Sequence, residues 1–478
     1  MFLGLDLGTS GLKGVLIDDA QAVVAEATAP LTVSRPHPGW SEQAPHHWLA
    51  AAEAVMEALA PRAGGALAGI GLSGQMHGAT LIDAAGEVIR PCLLWNDTRA
   101  AEEAADLDGD PMFRRVTGNI VFPGFSAPKV EWVRRHEPDA FRRTARVLLP
   151  KDYLRLWLTG EAVSEMSDAA GTAWLDTGAR DWSENLLAAT GLTRDHMPGL
   201  VEGSAVSGRL RPVLAARWGL RAGLPVAGGA GDNAAAAIGL GVTAPGQAFV
   251  SLGTSGVLFA ATGGYAPAPE TAVHTFCHAL PGRWHQMGVI LAATDALNWF
   301  AAAAGSDAAT LTAALGPLQA PGEALFLPYL GGERTPWNDA RLRGGFVGLG
   351  HSADRAALTR AVLEGVAFAL RDCRDALAAT GTRIDRLTAT GGGARSDYWL
   401  ACLATILDTP IARPAAGDHG AAFGAARLAL MAATGAGAEA AAPLPAARVF
   451  DPDPALTPAF DAAHARFRAA AAALRSLA

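Results

Sequence analysis

Two glycine-rich turns of the sequence share the pentapeptide LGTSG and could bind phosphate. The first lies in LDLGTSGLKGVLID (5–18) and the second in FVSLGTSGVLFA (249–260). A Gly-Thr-Ser-Gly turn between two strands offers several backbone N–H groups and two hydroxyls around one point, without a bulky side chain. A single turn of this kind is more often an ordinary hairpin. Its repetition at the start of each half favours two phosphate-binding hairpins that face each other across a cleft.

A lysine and an aspartate beside the first turn could bind a polyphosphate and its metal ion. Lys13 follows the turn, in a chain with 35 arginines but only three lysines, the others being Lys129 and Lys151. Because Arg fills the ordinary cationic positions, a remaining Lys favours a need for its compact ammonium group, with chance as the alternative. Asp6 ends the first predicted strand, where a carboxylate can hold Mg²⁺ through water between the β- and γ-phosphates. A turn-capping role is the alternative for this Asp.

Two further glycine-flanked motifs predict a ligand site near these turns. Asp232 lies in GGAGDNAAAAIG, where three glycines let the backbone approach a ligand and a strand passes into a helix. Helix N-capping is the alternative role for this residue. In SGQMHGATL (73–81), polar groups packed between glycines after a strand suit a small polyol. A lone histidine such as His77 is, however, more often structural than catalytic.

A triple-glycine turn is the candidate contact for a nucleotide. The segment LTATGGGARSDYWLACLATIL (387–407) predicts a strand, the turn and a helix. Such a turn lets a flat, bulky group such as adenosine lie against the backbone. The pattern GxGxxG is absent, so a Rossmann dinucleotide site is not predicted.

Composition excludes several classes of protein. Hydrophobic residues make up 50% of the 478 residues and charged residues 18%, as is typical of globular chains. The net charge of −8 offers no basic face, so we expect no nucleic-acid partner. The four scattered cysteines lack metal-ligand spacing, which predicts reduced thiols in the cytoplasm. The first residues lack a basic leader, and the apolar stretches carry Gly and Pro, so we expect neither a targeting signal nor a membrane span.

The periodicity of the chain predicts the elements that position these motifs. In the first half we expect a strand meander at 2–6, 12–18 and 21–27, a helix at 44–62, a strand at 67–74, a hairpin at 79–89, a mainly helical segment at 98–220, and a strand, turn and helix at 223–241. In the second half we expect another strand–turn–strand unit, helices at 355–379 and 455–477, and a surface loop at 435–447. The pattern therefore predicts two α/β domains of similar design, with a boundary near 242–248.

These motifs, in this order, resemble those of the FGGY carbohydrate kinases, which have the actin/hexokinase/Hsp70-like fold. DLGTSGLK is similar to the first phosphate motif of that family, GGAGDN to its catalytic-aspartate motif, SLGTSG to its second phosphate hairpin and GGGARSDYW to its adenosine motif. GFSAPKVEWV (124–133) meets a family signature. The resemblance covers nearly the whole chain. It implies two duplicated α/β domains of the ribonuclease H-like type, residues 1–244 and 245–478, with the active site in the cleft between them.

The resemblance also implies a reaction and the residues that perform it. SRPHPGWSEQ, GQMHGATL, LLWNDTR and LPYLGGERTP are similar to segments of the family members that phosphorylate the ketopentose D-xylulose. We therefore expect ATP-dependent phosphorylation of the sugar's 5-hydroxyl, with Mg²⁺ as cofactor, by a cytoplasmic homodimer. The implied residues are Asp232 (general base) and Asp6 (Mg²⁺ through water) for catalysis, Met76, His77, Asp232 and Asn233 for the sugar, and Thr9, Ser10, Lys13, Gly253, Thr254, Gly392 and Gly393 for ATP.

Two alternatives to this function remain open. Within the family, the activity of a ribulokinase or a glycerol kinase is the nearest rival. Outside it, the same fold serves ATP-driven chaperones and filament subunits, which hydrolyse ATP without a small acceptor. The GQMHG and GDN motifs favour a kinase, and an increase in ATP turnover when a sugar is added would distinguish the two classes.

Overall fold

Two seven-stranded sheets, one in each half of the chain, form the centre of the fold. The computed structural model describes residues 1–415 and 420–476. The strands of the first half are β1 (Phe2–Leu7), β2 (Gly11–Ile17), β3 (Val23–Pro30), β4 (Glu42–Gln43), β5 (Gly69–Gly74), β6 (Thr80–Ile82), β7 (Cys92–Leu93), β8 (Arg146–Leu148), β9 (Val163–Glu165), β10 (Leu175–Asp176), β11 (Asp181–Trp182), β12 (Gly199–Val201), β13 (Val206–Arg209), β14 (Pro225–Ala227) and β15 (Ala230–Gly231). Those of the second half are β16 (Gly246–Leu252), β17 (Gly256–Thr262), β18 (His274–Cys277), β19 (Trp284–Ile290), β20 (Leu325–Leu327), β21 (Gly345–Val347), β22 (Ile384–Thr390), β23 (Ile411–Pro414) and β24 (Ala446–Phe450).

Helices connect the strands and cover the sheets. The α-helices are α1 (Pro45–Ala63), α2 (Ala101–Asp108), α3 (Pro111–Thr117), α4 (Ser126–His136), α5 (Pro138–Arg143), α6 (Pro150–Thr159), α7 (Met166–Ala169), α8 (Glu184–Ala189), α9 (Pro212–Arg217), α10 (Asp232–Leu240), α11 (Thr294–Ala303), α12 (Ala308–Ala313), α13 (Arg355–Ala378), α14 (Asp397–Ile406), α15 (Gly420–Thr434) and α16 (Thr457–Arg475). Short 3₁₀ segments lie at Gly64–Ala66, Ala170–Thr172, Arg194–His196, Pro269–Thr271, Gly392–Arg395 and Ala438–Ala441.

The two sheets repeat one topology, which confirms the predicted duplication. The first sheet contains the order β3-β2-β1-β5-β14 and the second the order β19-β17-β16-β22-β23. In each, three antiparallel strands form a meander, and two parallel strands extend the sheet from the first strand of that meander. Each LGTSG turn connects the first two strands of its meander. The two turns therefore occupy equivalent positions in the two halves.

The strands that carry the first turn lie in a buried apolar core. β1 and β2 are almost entirely buried, because their apolar side chains pack under α1 on one side and against α15 on the other. The apolar face of α1 includes Trp48, Val55 and Leu59, all of which are buried. Burial of both strands fixes the position of the turn between them.

Helix α15 packs against the first sheet although it belongs to the second half of the sequence. A Cβ atom at Gly4 would lie 1.9 Å from the carbonyl oxygen of Ala422, and one at Gly71 would lie 1.9 Å from that of Ala425. The same helix crosses α10, since a Cβ at Gly424 would lie 1.7 Å from the Ala235 oxygen. Glycine at these positions permits near backbone-to-backbone contact, which places α15 between the first sheet and the helix that begins at Asp232.

The mainly helical segment predicted at 98–220 covers one face of the second sheet. Phe113 and Val130 of this segment share a hydrophobic core with Phe249, Phe259 and Met287, which lie on β16, β17 and β19. The insertion into the first half thus shares a hydrophobic core with the second half.

Two details differ from the sequence predictions. In the predicted hairpin at 79–89, the chain does turn back with a bridge between Ile82 and Val88, but β6 takes β8 as its main partner. The predicted surface loop at 435–447 contains a 3₁₀ turn with a buried Ala441 and runs into β24. All four cysteines are buried free thiols, as predicted. In the described ranges, none of the helices has both the length and the apolar character that crossing a membrane requires.

Candidate active site

Residues from both halves of the chain line one cavity of about 320 Å³. Five sequence-predicted residues meet there: Met76, His77, Asp232 and Asn233 from the first half, and Gly253 from the second LGTSG turn. The cavity is completed by Trp95, Ser251, Ser255, Val257, His274, Phe276, Met287, Val289 and Arg334. The candidate sugar residues and the second candidate phosphate hairpin therefore face the same space.

Asp232 is held at the start of α10 by the strand before it. β15 pairs in parallel with the end of β5, which places Asp232 beside the loop that carries Met76. A Cβ atom at Gly231 would lie 2.9 Å from the Met76 sulfur, so glycine leaves room for the Met76 side chain in this position. Gly231, and not Asp232, is the N-cap residue of α10, and it makes no side-chain cap. Asp232 is therefore the first residue of α10 and not its N-cap.

The carboxylate of Asp232 is partly hydrogen-bonded and partly available. Its Oδ1 accepts hydrogen bonds from the backbone N–H of Asn233 at 2.7 Å and from Nδ2 of the same residue at 2.9 Å. Burial, followed by the nearby charge of Asp6, raises the pKa of Asp232 from 3.8 to about 6. A carboxylate with this pKa is mostly ionised at neutral pH and can accept a proton.

Asp6 is close enough for its charge to raise the pKa of Asp232, and it has the properties of a cation ligand. On β1 it stands opposite Lys13 of β2 and Ser73 of β5. Burial raises the pKa of Asp6, while the neighbouring Ser73 hydroxyl and the charge of Lys13 lower it. Its buried Oδ1 has no hydrogen-bond partner within the described part of the chain. An orphaned carboxylate oxygen beside a second acid fits Mg²⁺, a hard cation that prefers oxygen ligands and retains its waters.

The first LGTSG turn is closed by a hydrogen bond from the Gly8 N–H to the Gly11 carbonyl at 3.0 Å. The Thr9 hydroxyl donates to Gln75 Oε1 at 3.0 Å and accepts from the Trp95 indole at 3.0 Å. This side chain therefore fixes the turn to its neighbours, while Ser10 is exposed at the tip.

Lys13 forms an ion pair in this structure. Its ammonium lies 3.3 Å from a carboxylate oxygen of Glu26 on β3, and both side chains are about one-third exposed. It is near enough to Asp6 for its charge to lower the pKa of that carboxyl. The lysine is thus at the first turn, as predicted, with an acidic partner that the sequence motif did not reveal.

The second LGTSG turn is fixed to the N-terminus of α11. The Gly253 carbonyl accepts from the Thr294 N–H at 2.9 Å and from its hydroxyl at 2.7 Å, and the Thr254 carbonyl accepts from the Ala293 N–H at 2.8 Å. Gly391 packs beside the same turn, because a Cβ there would lie 2.7 Å from the Leu252 carbonyl oxygen. The second phosphate motif and the triple-glycine turn are therefore neighbours.

A second cavity of about 650 Å³ opens beside the triple-glycine turn. Gly392 and Gly393 line it together with residues of α11, α12 and α14. A Cβ atom at Gly392 would meet only open space, so a ligand can lie directly against the backbone there. Thr294 lines this cavity and bonds to Gly253, which lines the smaller one. The two cavities are thus adjacent, with the second turn between them.

His77 is oriented for hydrogen bonding by its surroundings. Its backbone has φ of +69°, a left-handed conformation that is uncommon for a side-chain-bearing residue. Nδ1 lies 2.6 Å from the Gly171 carbonyl, and the ring stacks on Phe125 with centroids 4.7 Å apart. Burial, aided by the charge of Lys129, lowers the pKa of His77 to about 3, so the ring is neutral. Nδ1–H therefore donates to Gly171, and Nε2 remains as a hydrogen-bond acceptor.

Lys129 fixes the backbone of His77. Its fully buried ammonium donates to the His77 carbonyl at 3.0 Å and to the Gly124 carbonyl at 2.6 Å. The Ser126 hydroxyl donates to the same His77 carbonyl at 3.0 Å. Burial lowers the pKa of Lys129 to about 7. Lys129 lies within the family signature GFSAPKVEWV, but the sequence alone indicated no role for it.

Lys151, the third lysine, lies in a buried ionic cluster behind the Asp232 turn. Its ammonium is 2.8 Å from Asp152, 3.0 Å from Asp168 and 3.4 Å from Glu165. Glu165 also accepts hydrogen bonds from Ser167, whose hydroxyl in turn accepts the Gly231 N–H at 3.1 Å. The cluster thus supports the residue immediately before Asp232.

Sequence reasoning missed several residues of the smaller cavity. Trp95 and Arg334 lie in LLWNDTR and LPYLGGERTP, which were noted only as family-like segments. His274 carried no signal, since an isolated histidine in a strand pattern is unremarkable. These residues come from loops and strands far apart in the chain, so only the fold shows that they line one cavity with Asp232.

Known proteins match the chain over most of its length. Residues 1–239 match the N-terminal domain, and residues 248–433 the C-terminal domain, of the FGGY family of carbohydrate kinases. The xylulose kinase of Escherichia coli (strain K12) is 51% identical over 437 residues, which are 91% of this chain and 90% of that protein. The crystal structure of a "xyloylose kinase" from Brucella ovis is 61% identical with a TM-score of 0.99 and covers 100% of both chains. That of the xylulose kinase from Rhodospirillum rubrum is 32% identical with a TM-score of 0.93, covering 100% of this chain and 99% of that one.

Proposed function

The chain belongs to the FGGY family of carbohydrate kinases, and from this premise we propose that it transfers the γ-phosphoryl group of ATP to the 5-hydroxyl of D-xylulose. An ATP-dependent sugar kinase requires a sugar site, a nucleotide site and a base at their junction. Relatives that match nearly the entire chain at 51% identity are named xylulose kinases, and D-xylulose is the acceptor we assign to this chain.

The observation that carries the proposal is the position of Asp232. Its carboxylate lines the same cavity as Gly253 and Ser255 of the second turn, and that turn separates this cavity from the larger one. A sugar in the smaller cavity would therefore present a hydroxyl to Asp232 on one side and to the incoming phosphoryl group on the other. Asp232 would accept the proton of the hydroxyl as that oxygen attacks phosphorus.

The two LGTSG turns would bind the phosphates from opposite sides. Their backbone N–H groups, the Ser10 hydroxyl and the Lys13 ammonium supply donors for anionic oxygens. Since Lys13 is paired with Glu26, binding of ATP would exchange that ion pair for one with phosphate. Gly392 and Gly393 would leave space for adenosine in the larger cavity.

Asp6 would hold Mg²⁺ through water, and the bound ion would neutralise charge on the β- and γ-phosphates. The orphaned, buried Oδ1 of Asp6 supports this role. Its electrostatic effect on Asp232 also indicates that a cation at Asp6 would favour the ionised form of the base.

Met76, His77 and Asn233 would orient the sugar. Nε2 of His77 can accept a hydrogen bond from a sugar hydroxyl, and Asn233 fixes the orientation of the Asp232 carboxylate through its two hydrogen bonds. Holding the hydroxyl and the phosphoryl group in line supplies much of the rate enhancement in phosphoryl transfer.

We also propose a domain division at residues 244 and 245, between the two matched family domains. Motion of the two sheets relative to each other would exclude water from the cleft during transfer. The four free, buried thiols are compatible with the reducing conditions of the cytoplasm, where we place the reaction.

The test compares D-xylulose, L-ribulose and glycerol as acceptors, with ADP release as the rate readout and phosphorus NMR to identify the product. We expect D-xylulose to have the highest kcat/KM and to yield the 5-phosphate. A higher kcat/KM for L-ribulose or glycerol would assign the enzyme to a different acceptor. ATP turnover that is independent of any acceptor would instead indicate a non-kinase ATPase.

A further inference from the structure

Arg334 brings a positive charge from the second half of the chain into the smaller cavity, the proposed sugar site, which is called the sugar cavity below. It lies on the segment between β20 and β21. Its guanidinium carbon is 4.7 Å from the centroid of the Phe122 ring, and one of its N–H groups donates to Nε2 of His274 at 3.4 Å. Both neighbours are neutral: Phe122 has no ionisable group, and burial keeps the pKa of His274 well below its ordinary value.

The charge of Arg334 has no ion-pair partner among the residues that the structure describes. The adjacent Glu333 forms no ion pair with the guanidinium; its Oε1 accepts the backbone N–H groups of Leu291 and Arg334 at 2.9 Å and 2.8 Å. Burial raises the pKa of Glu333 to about 8, so this carboxyl is largely protonated at neutral pH. A guanidinium has five N–H donors, and most of those of Arg334 remain available to a ligand in the cavity.

A chain of ring contacts places Arg334 away from Asp232. Met76 lies against Gly231, and His77 is the next residue in the cavity wall. The centroid of the His77 ring is 6.2 Å from that of Phe276, and the Phe276 centroid is 5.5 Å from that of His274. Arg334 lies beyond His274. Its charge acts on both histidines, whereas the acid whose charge perturbs Asp232 is Asp6. Asp232 and Arg334 therefore line different parts of the cavity.

A ketopentose that presents its 5-hydroxyl to Asp232 would direct its carbonyl end toward Arg334. We propose that Arg334 is a specificity-determining residue that donates hydrogen bonds to the 2-keto oxygen and the 1-hydroxyl oxygen of the sugar. This inference rests on the proposed function. A carbonyl oxygen only accepts hydrogen bonds and a guanidinium only donates them, so the two groups are complementary. The planar fork of Arg matches two adjacent oxygens better than the single ammonium of Lys would.

The test combines substitutions with a truncated sugar. Arg334→Gln and Arg334→Lys are assayed with D-xylulose and with 1-deoxy-D-xylulose, which lacks the 1-hydroxyl. Arg341→Gln is the matched control, because it removes an exposed arginine from the same segment. For Arg334→Gln we expect the KM for D-xylulose to rise about 10- to 100-fold, the loss expected for hydrogen bonds from a charged donor. The KM for ATP should change less than threefold.

The truncated sugar separates direct contact from a structural effect. If Arg334 binds O1, the ratio of variant to wild-type KM should be smaller for 1-deoxy-D-xylulose than for D-xylulose. Equal ratios for the two sugars, a parallel loss of ATP affinity or an unchanged KM would each overturn the assignment. If Arg334→Gln fails to fold, as judged by its melting temperature, Arg334→Lys provides the same comparison with the charge retained.

The wild-type measurement distinguishes this inference from the proposed function. A wild-type enzyme that does not phosphorylate D-xylulose would overturn both the function and the ligand assigned to Arg334. An active wild type with unaffected variants would overturn only the role of Arg334.

Discussion

Replacing Asp232 by asparagine tests the proposed base with little change in shape. In the wild type, Oδ1 accepts two hydrogen bonds from Asn233, and an asparagine Oδ1 can accept the same pair. The substitution removes the negative charge of the carboxylate and with it the ability to accept the proton of the sugar hydroxyl. Loss of a general base typically costs about 10²–10⁴ in rate, which corresponds to roughly 3–5 kcal/mol of activation free energy.

The structure also predicts the direction of the stability change. The folded protein raises the pKa of Asp232 from 3.8 to about 6, so ionised Asp232 destabilises the folded state. In metal-free buffer, the contribution of Asp232 to the stability of the wild type should fall as pH rises from about 4 to about 6, and above that pH this loss is fully present. A shift of this size corresponds to at most about 3 kcal/mol. Asp232→Asn removes this penalty, so its melting temperature at pH 7.5 should equal or exceed that of the wild type.

The assay measures ADP release with D-xylulose and the melting temperature on one preparation of each protein, with ATP affinity by titration. Asp354→Asn is the control: this Asp caps α13 through a 2.8 Å hydrogen bond from the Ala357 N–H, and Asn caps a helix equally well. We expect the control to retain activity, and Asp232→Asn to bind ATP while losing turnover. A stable Asp232→Asn enzyme with near wild-type turnover would refute the role of Asp232 as the base.

Three further substitutions, one of them with a control, test other parts of the site. Lys13→Ala should raise the KM for ATP far more than that for sugar, while Glu26→Gln, which removes only the resting ion-pair partner, should not; an unchanged ATP response would reduce Lys13 to a surface residue. His77→Ala should weaken sugar binding by about 1–3 kcal/mol, measured by tryptophan fluorescence because Trp95 lines the same cavity, and loss of folding would instead indicate a structural histidine. Lys129→Met should raise the sugar KM without changing the ATP KM, since its ammonium holds the His77 carbonyl; equal loss of both would contradict a positioning role.

The duplicated fold could be predicted because its signals are local. Alternation of apolar residues, a glycine-rich turn and its repetition all lie within short segments, and they correspond to β1–β2 and β16–β17 in the structure. Asp6, Asp232 and the triple-glycine turn could be predicted for the same reason, since each lies at the end of a strand or directly after one. The carboxyl ends of neighbouring parallel strands meet at one edge of a sheet, so such residues converge on a cleft.

The partners of the predicted residues could not be predicted, because they come from distant segments. Thr9 was expected to bind phosphate, but its hydroxyl is used by Gln75 and Trp95. Arg334 reaches the sugar cavity only because the fold places the segment between β20 and β21 beside Phe122, which lies in the mainly helical segment 98–220. Nothing in the local pattern around an arginine distinguishes this position from a solvent-exposed one.

Helix α15 shows why a boundary in sequence need not separate two mechanical units. It follows residue 245, yet its backbone contacts Gly4 and Gly71 of the first sheet more closely than any side chain would permit. Gly424 brings it equally close to α10, the helix whose first residue is Asp232. Contacts this close tolerate little sliding, because interiors are packed at crystal-like density. Any closing motion should therefore move α15 together with α10 and the first sheet, so that the position of Asp232 relative to that sheet is preserved while the second turn approaches it.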